Sequence, residues 1–117
     1  MPQLLVEKDG YVTTLTMNRP KRYNALTFTM FSLMADAWKE ASDDPGTRVI
    51  ILTGAEGNFC SGMDLKALAG QADEEDPIDT SERLKHDTDF IFRALLKTYR
   101  PTKPVIAAVE GVAIAGG

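Results

Sequence analysis

VIILTGAEGNFCSGMDL, residues Val49–Leu65, contains the change of pattern on which the reading of the fold turns. Val49-Ile50-Ile51-Leu52 is a continuous aliphatic run, as expected of a strand covered on both faces. Thr53-Gly54 closes it, a glycine-rich loop follows through Gly62, and a short helix is predicted from about Asp64 to Leu68. The carboxyl end repeats the order. Val105–Val109 is again an apolar strand, Gly111 follows, then Val112-Ala113-Ile114-Ala115 and Gly116-Gly117. Each loop places glycine where a strand gives way to a helix or an expected helix. Glycine lets the backbone approach a ligand closely, and free N–H groups at a helix start point outward at the positive end of its dipole. Two such groups converging on one oxygen would form an oxyanion hole. A glycine after a strand is, taken singly, only a turn.

Outward from these loops the pattern is α/β. Leu4–Glu7 and Tyr11–Met17 read as strands joined by a tight turn at Asp9-Gly10. Tyr11, Thr13, Leu15 and Met17 share one face of the second strand, and Val12, Thr14 and Thr16 the other. Pro20 stops the ladder, having no N–H to donate. Thr27 is placed to cap a helix running to about Ser42, with Phe28, Phe31, Met34/Ala35, Trp38 and Ala41 as its apolar stripe. That stripe reads as core packing, Trp38 included. Gly70–Thr80 holds five acids and a proline with little to bury, which predicts an acidic surface loop rather than a calcium site, since ordered ligand spacing is missing. A second long helix is predicted over about Glu82–Tyr99, burying Leu84, Ile91, Leu95 and Tyr99, with Phe92 and Leu96 alongside. His86 falls near its polar start and reads as an exposed helical residue.

Composition narrows the function classes. At 117 residues the sequence holds one core, not two. It is 44% hydrophobic and 26% charged, as in ordinary globular proteins. No apolar run approaches the ~20 residues of a membrane helix, and the amino terminus lacks the basic start and apolar core of a secretory signal. A cytoplasmic protein without a membrane partner is expected. Thirteen Lys+Arg against seventeen Asp+Glu, a net charge of −4, give no global field for nucleic acid. The single Cys60 cannot form an internal disulfide, and one histidine leaves no zinc cluster. No G-x-G-x-x-G follows a strand, which argues against a nicotinamide enzyme. A strand-and-glycine ending without its helix predicts that these residues are the amino-terminal part of a longer chain. A complete chain of this length would leave Val105–Ala115 exposed and would aggregate or need a complementary half.

Three segments together are specific: Asn18-Arg19-Pro20-Lys21-Arg22-Tyr23-Asn24-Ala25-Leu26, Phe59-Cys60-Ser61-Gly62-Met63-Asp64-Leu65 and Lys103–Gly117. In this order and at about this spacing they resemble the enoyl-CoA hydratase/isomerase family, the crotonases. The resemblance covers essentially the whole chain, residues 1–117, as the amino-terminal half of a subunit, truncated after the second oxyanion-hole glycine. It implies an α/β, crotonase-like (ClpP/crotonase) spiral of ββα units, here incomplete. It further implies an acyl-CoA substrate whose thioester carbonyl is held by the backbone N–H groups of Met63 and Gly116. Met63 stands where alanine is frequent; it donates through its backbone, and its side chain narrows the acyl pocket. Ser61, Gly62, Asp64, Leu65 and Lys66 fall where the family borders the CoA arm and acyl group. Lys21, Arg22, Ala25 and Leu26 match the segment along the nucleotide end, where paired cations suit phosphates.

The resemblance also implies an enoyl-CoA hydratase first, with isomerase, hydrolase, racemase, dehalogenase or ring-forming synthase left open. A non-catalytic acyl-CoA-binding protein is the reading of a different class. No prosthetic group or metal is expected, coenzyme A being part of the substrate. A homotrimer or hexamer is expected of the full-length protein. The family's two acid/base glutamates fall beyond Gly117. Within the chain, Glu110 is expected as a buried hydrogen-bonded group, Asp64 as a helix cap, and Cys60 as a nucleophile in name only, lacking a neighbouring histidine.

Overall fold

The structure, a computed structural model, describes residues 2–65 and 80–117. Its first unit is a ββα turn. β1 (Leu4–Asp9) and β2 (Val12–Met17) pair antiparallel, with Asp9 opposite Val12 across Gly10, whose φ of +59° is the left-handed conformation the tight turn requires. Thr13, Leu15 and Met17 are buried on the inner face of β2, as the alternation predicts, whereas Tyr11 lies outside with the Arg48 guanidinium 3.9 Å from its ring centroid.

α1 (Phe28–Asp43) crosses over this inner face. Thr27 caps it as predicted: its hydroxyl accepts the Met30 N–H at 3.1 Å. Phe31, Met34, Ala35, Trp38 and Ala41 are all buried, and Phe28 is half-buried at the margin. Trp38 is fully buried and its Nε1–H donates to Ala94 O at 2.9 Å. Burying each such large side chain is worth about 1.5–3 kcal/mol. At the other end of α1, Lys103 Nζ donates to Ala41 O and Asp44 O at 2.9 and 2.7 Å, a cation on the negative end of the helix dipole.

The turn after α1 is set by Asp44. Its carboxylate accepts from Lys8 Nζ at 2.7 Å, the Gly46 N–H at 2.9 Å and the Thr47 hydroxyl at 3.0 Å. The Lys8 hydrogen bond, then those of Gly46 and Thr47, lower its pKa from 3.8 to about 2. A carboxylate lowered on folding contributes stability above its unfolded pKa and loses it as pH falls through the folded value. Denaturant titrations of the wild type and Asp44→Asn should therefore diverge above pH ~4 and converge towards pH ~2, with a gap that shrinks in salt because the pair is exposed.

β3 (Val49–Gly54) lies parallel to β2, Thr13 opposite Ile50, and β4 (Val105–Ala108) lies parallel to β3, Ile50 opposite Val105. The mixed sheet is open, in the order β1-β2-β3-β4, an incomplete turn of the expected spiral. The expectation that β3 is covered on both faces is corrected: Ile50 is buried and Leu52 packs half-buried against the core on the same face, whereas Val49, Ile51 and Thr53 on the other face are only half-buried. Ile106, Val109 and Ile114 are more than half exposed.

The single long helix over Glu82–Tyr99 is also corrected. Two short helices stand there, α2 (Ser81–His86) and α3 (Phe90–Ala94). The chain leaves the helix at Asp87, whose carboxylate instead takes the Arg93 guanidinium, with Nη1 to Oδ1 at 2.8 Å. That bond to Arg93 is the main reason the Asp87 carboxyl is held below its usual range. The interruption shifts the helical phase, so Phe90 and Ala94 point inward beneath Trp38, while Phe92 and Leu95 are exposed and Leu84 and Ile91 lie at the margin. α3 ends early through paired bonds, Leu96 N–H to Arg93 O at 3.0 Å and Lys97 N–H to Phe92 O at 2.9 Å, with Leu96 at φ +57°. Arg83 ties α2 to α1 by a two-pronged bond to Asp36 at 2.9 and 3.0 Å. His86 is exposed as expected, near Glu82. The acidic stretch from residue 70 to 79 lies outside the described residues.

Candidate functional site

The glycine loops after β3 and β4 lie side by side. Cys60 and Ala113 form a parallel bridge: Cys60 N–H donates to Val112 O and Ile114 N–H to Cys60 O, both at 3.0 Å. A third strand of chain joins on the other side, where Leu26 N–H donates to Gly62 O at 2.7 Å and Asp64 N–H to Leu26 O at 2.8 Å. Three sequence segments thus become one small platform. Where they meet, Gly62 has φ +99°, and a Cβ there would lie 3.0 Å from Ile114 O and 3.8 Å from the Gly116 nitrogen. Close approach of two backbones and a left-handed φ both demand glycine at this point.

Met63 and Gly116 are the two predicted oxyanion donors. Their N–H groups donate to no partner among the described residues, in a platform whose neighbouring amides at Gly62, Asp64, Ile114 and Gly117 are all bonded. Met63 is half-buried and Gly116 is exposed. The turn that presents Gly116 is closed by Gly117 N–H to Ile114 O at 2.8 Å, with Ala115 at φ +50°. Space for a side chain differs sharply between Gly116 and its neighbour. A Cβ on Gly116 would meet only Leu26 Cδ1 at 3.7 Å, whereas one on Gly117 would lie 2.3 Å from Cys60 O. Gly116 and Gly117, but not Met63, border an apolar cavity of about 160 Å³ walled by Leu26, Trp38, Leu52, Phe59, Cys60 and Leu96, among others.

The remaining predicted residues separate into two groups. Lys21 and Arg22 are exposed on a 3-10 turn, Pro20–Arg22, and Ser61 reaches them, its hydroxyl donating to Arg22 O at 3.2 Å and its N–H to Tyr23 O at 3.0 Å. Ala25 and Leu26 are buried; Ala25 accepts through its carbonyl, and Leu26 joins the platform through its backbone while its side chain walls the cavity. Leu65 is exposed; Lys66 and the rest of the predicted short helix lie outside the described residues. The Asp64 carboxylate, just before a helical Leu65, pairs with Arg19 Nη1 at 2.9 Å, both side chains being largely buried; the first turn it is expected to cap lies outside the described residues. Glu110, expected as a buried group, is exposed. Burial pushes the Cys60 thiol up, against a weaker opposing effect of the Gly62 N–H. Iodoacetamide at neutral pH should leave Cys60 unmodified in the folded protein and alkylate it after denaturation, as followed by mass spectrometry.

Two residues that carry this arrangement have no assigned part in the sequence reading. Arg19 donates from Nη1 to Ala25 O at 2.7 Å as well as to Asp64. Asn24, fully buried at φ +57°, accepts the Arg19 N–H at 2.8 Å and donates to Asn58 O at 2.7 Å and Ala55 O at 3.1 Å. The available signal is an arginine fixed between a buried strand and Pro20, matched by one acid in a distant glycine loop.

Residues 7–117 match the family described as enoyl-CoA hydratase/isomerase. The chain belongs to that family. It is 49% identical over 116 residues to the enoyl-CoA hydratase EchA19 of Mycobacterium tuberculosis, covering 99% of this chain and 42% of that protein. It is 35% identical over 113 residues to the peroxisomal Delta(3,5)-Delta(2,4)-dienoyl-CoA isomerase of Arabidopsis thaliana, covering 93% of this chain and 41% of the isomerase. The structure of a carnitinyl-CoA dehydratase from Mycobacterium avium superposes with a TM-score of 0.79 at 36% identity, over 100% of this chain and 43% of that one. The chain therefore spans about two fifths of the length of these family relatives. Among the described residues no helix is long and apolar enough to cross a membrane, and no three His, Cys, Asp or Glu side chains are grouped to hold a metal.

Proposed function

We propose that the protein bearing this chain is an acyl-CoA-processing enzyme that polarises a thioester carbonyl between the N–H groups of Met63 and Gly116, and that it hydrates a 2-enoyl-CoA. The observation that carries this reading is the pair of unpartnered donors on two loops held together at Gly62. Adding water across an enoyl thioester, or moving its double bond, passes through an enolate whose charge gathers on the thioester oxygen. Preorganised donors ~2.7–3.1 Å from that oxygen stabilise the charge without reorganisation. Backbone amides suit the task, because they are rigidly placed and carry no charge of their own to be desolvated.

Membership of the family supports the substrate class, and the relatives' own names span a hydratase, an isomerase and a dehydratase. Hydration is placed first because the most similar of these relatives is a hydratase. Exposed Lys21 and Arg22, joined to the platform through Ser61, supply cations for the phosphates of coenzyme A. Proton transfer needs a general acid and base. Among the described residues the Asp64 carboxylate is paired with Arg19, and burial pushes the Cys60 thiol up. The full-length protein should bind a saturated acyl-CoA in calorimetry and consume a 2-enoyl-CoA, seen as loss of the conjugated thioester's absorbance. Binding without turnover of any enoyl-CoA would leave a binding protein; absence of binding would end the reading.

A further inference from the structure

We infer that the ring of Tyr23 is the stacking face for the adenine of the coenzyme A substrate, completing a nucleotide site with Lys21 and Arg22. This rests on the proposed acyl-CoA substrate. Tyr23 has φ +51° and ψ +36°, the left-handed region, where a bulky side chain is an outlier and glycine is the unstrained choice. Its neighbour Asn24, at φ +57°, offsets that cost through a buried side chain that bonds Arg19, Ala55 and Asn58. Tyr23 has no such offset. The residue is 60% exposed, and its side chain makes no hydrogen bond or ring contact among the described residues. An exposed tyrosine alone needs no explanation; one kept in a strained conformation beside two cations points to a ligand. The backbone that carries it is firmly held. Tyr23 N–H donates to Pro20 O at 3.1 Å, and Tyr23 O accepts the Ser61 N–H at 3.0 Å. The second bond ties the turn to the loop of the Met63 donor, which follows two residues after Ser61. Lys21 and Arg22 are exposed on the same turn. A flat aromatic face beside two cations matches a purine base with phosphates, since any base can stack on a π-face and the cations take the charge. The acyl chain and the pantetheine arm call for neither.

In the full-length protein Tyr23→Gly should weaken binding of a saturated acyl-CoA, and of adenosine 3′,5′-bisphosphate, by about tenfold in calorimetry, the scale of one base–aromatic stack. The preference in kcat/KM for an enoyl-CoA over the matching enoyl-pantetheine should shrink by about the same factor. Glycine relieves the left-handed backbone, so the unfolding midpoint should not fall. Tyr23→Trp gives a spectroscopic signal. Taken as the difference from wild type, its emission is that of the new indole, Trp38 being fully buried. That emission should lie at the wavelength of exposed indole in the free protein. Adenosine 3′,5′-bisphosphate should quench it, and acyl-CoA should quench it far more than acyl-pantetheine. A preference ratio in Tyr23→Gly equal to that of wild type, or quenching by acyl-pantetheine as strong as by acyl-CoA, would overturn the inference. So would a blue-shifted emission before ligand is added, since the rest of the protein would then cover the ring. A Tyr23→Gly midpoint well below wild type would show a structural part for the ring, and the quenching in Tyr23→Trp then decides alone. A wild-type protein that neither binds an acyl-CoA nor turns over an enoyl-CoA would instead refute the proposed function.

Discussion

Gly62→Ala in the full-length protein is expected to lower turnover of an enoyl-CoA by about 10²-fold or more, the effect of displacing a reacting group by roughly 1 Å. Two causes add. The residue has φ +99°, which a Cβ disfavours, and that Cβ would lie 3.0 Å from Ile114 O, wedging apart the loops that carry Met63 and Gly116. The loss should fall on kcat more than on KM, because the donors act most strongly on the enolate-like state. Steady-state kinetics with a far-ultraviolet circular dichroism control checks this; unchanged kcat in a folded variant would show that the two loops need not touch for catalysis. Gly116→Ala should be much milder, having only Leu26 Cδ1 at 3.7 Å to meet.

The largest effect on stability is expected from Gly54→Ala. Its Cβ would stand 1.9 Å from Asn58 O, 2.4 Å from Phe59 O and 2.8 Å from Asn24 Nδ2. All but one of these are backbone atoms, so relief requires moving the loop off the end of β3 and breaking the Asn24 bonds that hold it. A destabilisation of about 4 kcal/mol or more belongs to this kind of clash with a buried polar network. Urea unfolding of the two proteins measures it, and a midpoint unchanged from wild type would mean that the loop path after β3 is wrong.

Local chemistry made much of this fold legible. The Asp9-Gly10 turn, the Thr27 cap and the α1 stripe each depend on neighbours within a few residues, and each stands where the residue pattern places it. The region of α2 and α3 was not legible for a related reason. Leu84 and Ile91, seven residues apart, keep one helical phase across the polar Lys85–Asp89, and the competing Arg93 guanidinium shows that Asp87 leaves the helix. Glu110 and β3 were misread alike, because burial depends on what covers a face and not on the strand's own residues.

At the site the two glycine loops are readable as backbone donors from their place after strands. Their contact is not, since it joins Gly62 to residues around Gly116. Arg19 and Asn24 were hidden for the same reason: their partners Asp64 and Asn58 lie 45 and 34 residues away, and no periodicity encodes such pairs.

The structure of the full-length protein with an unreactive acyl-CoA thioester tests the central claim most directly. The account predicts the thioester oxygen within about 2.7–3.1 Å of both the Met63 and Gly116 nitrogens, with the coenzyme's phosphates towards Lys21 and Arg22. A thioester bound in order elsewhere, with either N–H left without that oxygen, would contradict it.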